Sequence, residues 1–248
     1  MVPHRLFGHI DGAEACTAAR WAAEARIAIN EAHADGRLPI LVGGTGLYLR
    51  TLLDGIAPVP DIDPDIRSAI RAMAVADAHS ALSREDQAAA ARLAPADSTR
   101  VARALEVVRS TGKPLSFWQL QKSGGIGEHI HLSPLILLPP REWLITRCDR
   151  RFEQMIDSGA AQEVEALLAR NLSADLPLMR AIGVPEISAW LRGEMDRGRM
   201  LEQGRIATRQ YAKRQYTWFS RQPPPLWTRE EREIDNKMTA ELVIKLLL

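Results

Sequence analysis

The chain has 248 residues, 46% of them hydrophobic and 25% charged, with a net charge of +1. It is long enough to bury a sizeable core and ordinary in its polarity, and its overall charge says nothing about nucleic acid. Two cysteines, Cys16 and Cys148, exclude a disulfide framework and a cysteine-based metal site; both fall in apolar helical stretches, as buried thiols in a reducing cytosol do. No run reaches membrane length and no secretory leader pattern opens the chain, so a cytoplasmic protein without membrane contact is expected.

In chain order, residues 17–35 read as a helix capped by Thr17, with Ala18, Trp21, Ala22, Ala25 and Ile29 on one face and Gly36 ending it in the left-handed conformation. LPILV (38–42) has strand length, and a helix starts near Thr45, so strand, glycine turn and helix form a βα unit that favours a parallel sheet. IAPVPDIDPDIR (56–67) is a stiff connector with three prolines, and Asp63-Pro64 is a cap followed by a first helical residue. From 64 to about 122 everything reads helical, with caps at Ser83 and Asp97 and a stop at Gly112. KSGGIGEH (122–129) reads as a flexible exit and HLSPLILLPP (131–140) as a strand returning to the sheet. Helices follow over about 141–157 (ending at Gly159), 160–170, 185–192 (ending at Gly193) and 195–220. PPPLWT (223–228) is a candidate last strand and 238–248 a closing helix.

Gly43-Gly44-Thr45-Gly46 resembles a phosphate cradle, yet the P-loop pattern G-x-x-x-x-G-K-[ST] requires a lysine that is missing here. No Gly-Lys-Ser/Thr triplet occurs anywhere, since Gly112-Lys113 is followed by Pro114. The most unusual stretch is RIATRQYAKRQYTWFSRQ (205–222). No acid lies between Glu202 and Glu230, while Arg205, Arg209, Lys213, Arg214, Arg221 and Arg229 supply six positive charges interleaved with Tyr211, Tyr216, Trp218 and Phe219. Arg205, Arg209 and Lys213 share one helical face, and cations beside aromatics suit a phosphate backbone with unstacked bases. A solvated basic face over an aromatic core stripe explains the pattern equally well.

In REWLITRCDRRFEQM (141–155), Leu144, Cys148, Phe152 and Met155 form the core face, and Arg147, Arg150 and Arg151 cluster elsewhere. Arg147 and Arg151, one turn apart, can grip a polyanion, or Glu142, Asp149 and Glu153 can pair with this cluster on the surface. In DSTRVARALEVVRSTGK (97–113), Val101, Leu105 and Val108 face a core, while Thr99, Arg100 and Arg103 point away. The six histidines have no spacing typical of zinc ligands.

Taken together, PILVGGTGLYLRTLLDGIAPVPDIDPDIR, DSTRVARALEVVRSTGKPLS, REWLITRCDRRFEQMIDSG, DLPLMRAIGVPEI and ATRQYAKRQYTWF resemble, in order, the bacterial tRNA dimethylallyltransferases. The resemblance implies an α/β fold: a P-loop-kinase-like parallel-sheet core, N-terminally incomplete, over 1–57 and 130–248, with an all-helical insertion over 58–129. It implies transfer of a dimethylallyl group from dimethylallyl diphosphate to the exocyclic amine of the adenosine just 3′ of the anticodon, by a monomer using Mg2+. By position, Thr45 would line the channel where the flipped adenosine meets the donor, and Arg151, with Arg147, would hold the leaving diphosphate. Contacts to the anticodon stem-loop would come from Thr45, Arg67, Thr99, Arg100, Val101, Ala102 and Arg103. Others would come from Arg180, Ala181, Ile182, Gly183, Val184 and Pro185, and from Ala207, Thr208, Arg209, Gln210, Tyr211, Ala212, Lys213 and Arg214.

The chain departs from the family pattern in two places. The family's nucleotide-binding P-loop, which carries the magnesium-binding hydroxyl, and its second strand, which carries the aspartate general base, have no counterpart among these residues, so transfer is not expected from the 248 residues alone. Val184-Pro185 replaces an aromatic and a basic residue found in many members. A non-catalytic RNA-binding remnant of the same family is the alternative. A nucleotide-kinase relative leaves residues 205–222 unexplained.

Overall fold

The computed structural model describes residues 2–235 together with Met238 and Glu241; the expected closing helix over 238–248 otherwise lies outside the described residues. The chain divides into two compact units, Arg50–Ile130 and the remainder.

The unit Arg50–Ile130 is helical: α3 (Pro64–Arg71), α4 (Val75–Glu85), α5 (Gln87–Arg92), α6 (Ser98–Thr111) and α7 (Leu115–Gln119). Its core joins Ile70, Leu82, Val101 and Leu105, all essentially inaccessible to solvent. Local chemistry sets the helix ends. The Asp63 carboxylate accepts from the Asp65 and Ile66 N–H groups, the Asp97 carboxylate from Arg100 N–H, and Gly112 closes α6 at φ 68°. Ser83 is not a cap: it sits inside α4 and donates its hydroxyl to the His79 carbonyl at 2.9 Å, while Asp86 caps α5. Nor is 122–129 a loose exit. Ser123 and Ile56 exchange backbone hydrogen bonds of 3.0 and 3.1 Å, and Ile126 N–H donates to the Leu52 carbonyl at 3.0 Å. A Cβ on Gly125 would fall 2.5 Å from the Leu53 carbonyl oxygen, so the backbones meet only because that residue is glycine.

The other unit begins with α1 (Ala18–Ala34), capped by Thr17, whose hydroxyl accepts from Arg20 N–H at 3.1 Å. Cys16 lies just before α1 rather than in a helix, whereas Cys148 is buried as expected. A helix α2 (Gly46–Asp54) follows the glycine turn, and the unit boundary falls within it, after Leu49. The run 38–42 is not a strand; Leu38, Ile40 and Val42 stand 65, 68 and 80% exposed. A strand exists only through hydrogen bonds to a neighbour, and no described strand lies beside this run. The run 131–140 does find one. β1 (Leu135–Leu137) pairs in parallel with β2 (Thr228–Glu230) in the register Leu135↔Thr228 to Leu137↔Glu230. The last strand thus starts at Thr228, not Pro223: the prolines before it have no N–H to donate and form a turn, whose carbonyls accept from the Arg229 guanidinium.

The α-helices α8 (Arg141–Met155), α9 (Ala161–Ala169), α10 (Val184–Leu191) and α11 (Arg197–Arg221) follow among the described residues of this unit. Their core gathers Phe152, Ile156, Val164, Ile187 and Met200. Met155, expected in the core, is 47% exposed. α8 runs into a wide turn, Ile156–Ala160, with Gly159 at φ 109°, and Ile156 takes the inward position instead.

Candidate nucleic-acid and diphosphate site

α8 and α11 lie antiparallel, as three successive contacts show. Arg205 meets Glu153, Arg209 meets Asp149, and the Arg141 guanidinium covers the Tyr216 ring at 5.1 Å. Residues 205, 209 and 216 fall on one side of a 3.6-residue helix. Residues 211, 215 and 218 fall on another, and there the glycine turn rests. A Cβ on Gly44 would lie 2.4 Å from the Gln215 amide, and one on Gly46 would lie 2.3 Å from the Trp218 ring. The two glycines therefore serve close approach to α11.

Between those glycines Thr45 starts α2, its carbonyl accepting from Tyr48 N–H at 3.0 Å. Its hydroxyl lies 3.5 Å from the Tyr211 hydroxyl, and both side chains are solvent-facing. Tyr48 packs on Trp21 and donates to the Cys16 carbonyl at 2.8 Å; burial pushes its phenol above the usual range. The turn is thus a rigid corner with one exposed hydroxyl pair.

The cations of α11 divide into two sets. Arg205 and Arg209 are engaged by carboxylates of α8, and Asp149 holds the Arg209 guanidinium above its ordinary pKa. Lys213 and Arg214 are exposed and form no ion pair among the described residues; Arg214 stacks on Tyr211 at 5.6 Å. Of the rest of 207–214, Thr208 is buried, its hydroxyl donating to the Gly204 carbonyl at 2.7 Å, while Gln210 is exposed and Ala207 and Ala212 are half-buried.

On α8 the expected pairing of the arginine cluster with Asp149 and Glu153 does not occur, because α11 takes both carboxylates. Arg147, Arg150 and Arg151 are all exposed without an ion pair among the described residues, and Arg147 stacks over Trp143 at 4.6 Å. Burial pushes the Cys148 thiol up, and the Arg151 and Arg209 charges pull it partly back. The described residues show no hydrogen bond or ion pair between this cluster and Thr45.

The segment 180–185 exposes only its ends. Arg180 pairs with Asp175 at 3.3 Å and Pro185 opens α10, both exposed; Ala181 and Ile182 are half-buried, and Gly183 and Val184 are buried. Gly183, at φ 98°, donates its N–H to Glu186 at 2.9 Å.

In the helical unit, Arg67 on α3 and Arg100 on α6 are exposed, the latter 3.4 Å from Asp97. Arg103 reaches Glu106 at 3.9 Å and Arg71 reaches it at 2.9 Å, while Glu106 itself is only 1% exposed. Thr99 and Ala102 line a cleft of about 200 Å³ with Ile70, Arg71 and Ser98. Val101 is fully buried in the core and reaches no surface.

The sequence offered Asp149 and Glu153 as partners for the wrong arginines, and gave no sign of Glu106 as a partner or of Gln215 and Trp218 as the floor beneath the glycines. Helical phase against the arginine spacing carried the only available signal. Among the described residues no cluster of His, Cys, Asp and Glu is arranged to hold a metal ion. The P-loop hydroxyl that the resemblance gives to Mg2+ has no counterpart in these residues, which therefore do not fit the ion. No described helix is long and apolar enough to cross a membrane.

The unit that holds α8 and α11 thus joins a small parallel sheet, an arginine turn without ion pairs among the described residues, and a basic-aromatic helix. Residues 1–222 match the family described as IPP transferase, and the chain belongs to that family. It is 62% identical over 245 residues to a tRNA dimethylallyltransferase of Sphingopyxis alaskensis, covering 99% of this chain and 80% of that protein. It is 65% identical over 230 residues to one of Erythrobacter litoralis, covering 93% and 73%. Its fold is similar to the tRNA isopentenylpyrophosphate transferase of Bacillus halodurans, with TM-score 0.64 and 31% identity over 99% of this chain and 79% of that one. It is also similar to a eukaryotic dimethylallyltransferase acting on tRNA, with TM-score 0.70 and 27% identity over 88% and 56%.

Proposed function

We propose that this chain serves transfer of a dimethylallyl group from dimethylallyl diphosphate to the exocyclic amine of the adenosine 3′ of a tRNA anticodon. The observation that carries the reading is the α8 turn whose Arg147, Arg150 and Arg151 are left without carboxylates while their neighbours are paired off. In the reaction the allylic C–O bond breaks and its electron pair departs with pyrophosphate. The amine nitrogen forms the new N–C bond and loses one proton. Negative charge grows on the departing oxygens, and fixed guanidiniums oppose it without reorganising. Arg151, aided by Arg147, is the group assigned to that task.

The adenine must leave its stack to be alkylated, which costs less in a loop than in a duplex. Thr45 and Tyr211 offer the exposed hydroxyls at the corner where a base could be held. Lys213 and Arg214 on α11, and separately Arg67, Arg100 and Arg103 in the helical unit, are the cations assigned to RNA phosphates.

The test is mass spectrometry of tRNA nucleosides from a strain lacking its own dimethylallyltransferase and carrying the gene that encodes this chain. With the 248 residues joined behind the P-loop and aspartate segment of a relative, restored isopentenyladenosine, abolished by Arg151→Gln, is the expected result; from the 248 residues alone no transfer is expected. Stem-loop binding without any restored nucleoside would favour the non-catalytic RNA-binding reading instead.

A further inference from the structure

The four-residue spacing of Arg205, Arg209 and Lys213 presents them as equivalent, and the fold treats them differently. Arg209 directs Nε to one Asp149 oxygen at 2.8 Å and a terminal nitrogen to the other, a fork-on-fork arrangement that spends one whole edge of the guanidinium. One turn earlier Arg205 meets Glu153, so two antiparallel rungs join α8 to α11. Beside the Arg205 rung the helices touch: a Cβ on Gly204 would lie 2.0 Å from the Phe152 ring. Two rungs and a close contact fix both the rotation and the register of α8.

Asp149 is two residues from both Arg147 and Arg151, about 200° around the helix, so it faces α11 while Arg147 and Arg151 share the other side of α8. Resting on the transfer reading above, we propose that Arg209 is a positioning residue: with Asp149 it fixes the turn of α8 that presents Arg147 and Arg151 on its other side, and it grips no RNA phosphate. The cations that α11 presents to RNA are Lys213 and Arg214.

The experiment uses the full chain, a labelled anticodon stem-loop and inorganic pyrophosphate. A lost phosphate contact makes the slope of log K against log[salt] shallower by about 0.7–0.9. Asp149→Asn/Arg209→Gln leaves the net charge unchanged, and its slope is expected to equal that of the wild type. Lys213→Gln/Arg214→Gln is expected to lose about 1.5 of slope with pyrophosphate binding unaffected. Arg209→Lys keeps the charge and folds readily but cannot make the fork, so it is expected to bind pyrophosphate about fivefold more weakly. A shallower slope in the Asn/Gln variant, or wild-type pyrophosphate binding by Arg209→Lys, overturns the proposal. A wild-type chain that binds no stem-loop would sink the transfer reading alone. The Asp149–Arg209 rung is then still read by a double-mutant cycle on the thermal midpoint, where additivity overturns it.

Discussion

The α8–α11 pair and the α3–α6 pair both set arginines against carboxylates, and they leave different amounts of charge available. In the first, each carboxylate takes one arginine, and Arg205 and Arg209 remain only 28 and 37% exposed. In the second, one buried carboxylate, Glu106, draws two arginines whose side chains stay 59 and 41% exposed. Its single negative charge cannot cancel two guanidiniums, so Arg71 and Arg103 keep donors facing water. What a polyanion meets is decided by how many donor edges each carboxylate consumes; a count of arginines does not give it.

The largest effect that could break this comparison is at Glu106. Glu106→Ala removes a buried carboxylate that Arg71 hydrogen-bonds and Arg103 ion-pairs, and is expected to cost about 2–4 kcal/mol of the helical unit's stability, read by urea denaturation. Arg71→Ala should cost far less, because Arg71 is largely exposed and Arg103 remains. On the other side, Gly204→Ala drives a methyl into the Phe152 ring, which should cost about 1–3 kcal/mol and loosen both rungs of α8–α11. Asp97→Ala removes a helix cap from α6, an expected loss of about 1 kcal/mol in the same measurement.

The smallest effect is pH-dependent. The Arg109 guanidinium, bonded to Glu85, holds that carboxyl below its ordinary 4.5. A lowered folded pKa means the pair stabilises the helical unit above about pH 4.5 and is lost as pH falls through the folded value. Both side chains are about a third exposed, so solvent screens the gain. Glu85→Gln should flatten the acid limb of the stability curve slightly; an unchanged limb would show that the pair contributes nothing.

Legibility in the sequence followed the range of the chemistry involved. Caps are local, and Thr17, Asp63, Asp97, Gly36 and Gly112 stood where their side chains or φ values require. Ser83 misled because a serine hydroxyl satisfies a helix start or a carbonyl one turn back equally well. LPILV and PLILL are nearly the same in composition, yet only the second became part of a strand, since pairing is a property of two segments. From Phe152 the spacing allows either i+3 or i+4 inward, and the fold buries Ile156 rather than Met155. The open arginines of the candidate site were legible as a cluster. Their freedom was not, because Asp149 and Glu153 are claimed by arginines more than fifty residues away along the chain.

The reading as a whole stands on Arg151 acting on the departing diphosphate rather than on RNA. The direct measurement is single-turnover prenyl transfer into an anticodon stem-loop by the gene product, with wild type and Arg151→Gln compared alongside their stem-loop affinities. Removing one charge-stabilising donor is expected to slow transfer about 10²–10³-fold, with stem-loop affinity held within about threefold. An Arg151→Gln protein that transfers at the wild-type rate, or that loses RNA affinity in proportion to rate, would contradict the account.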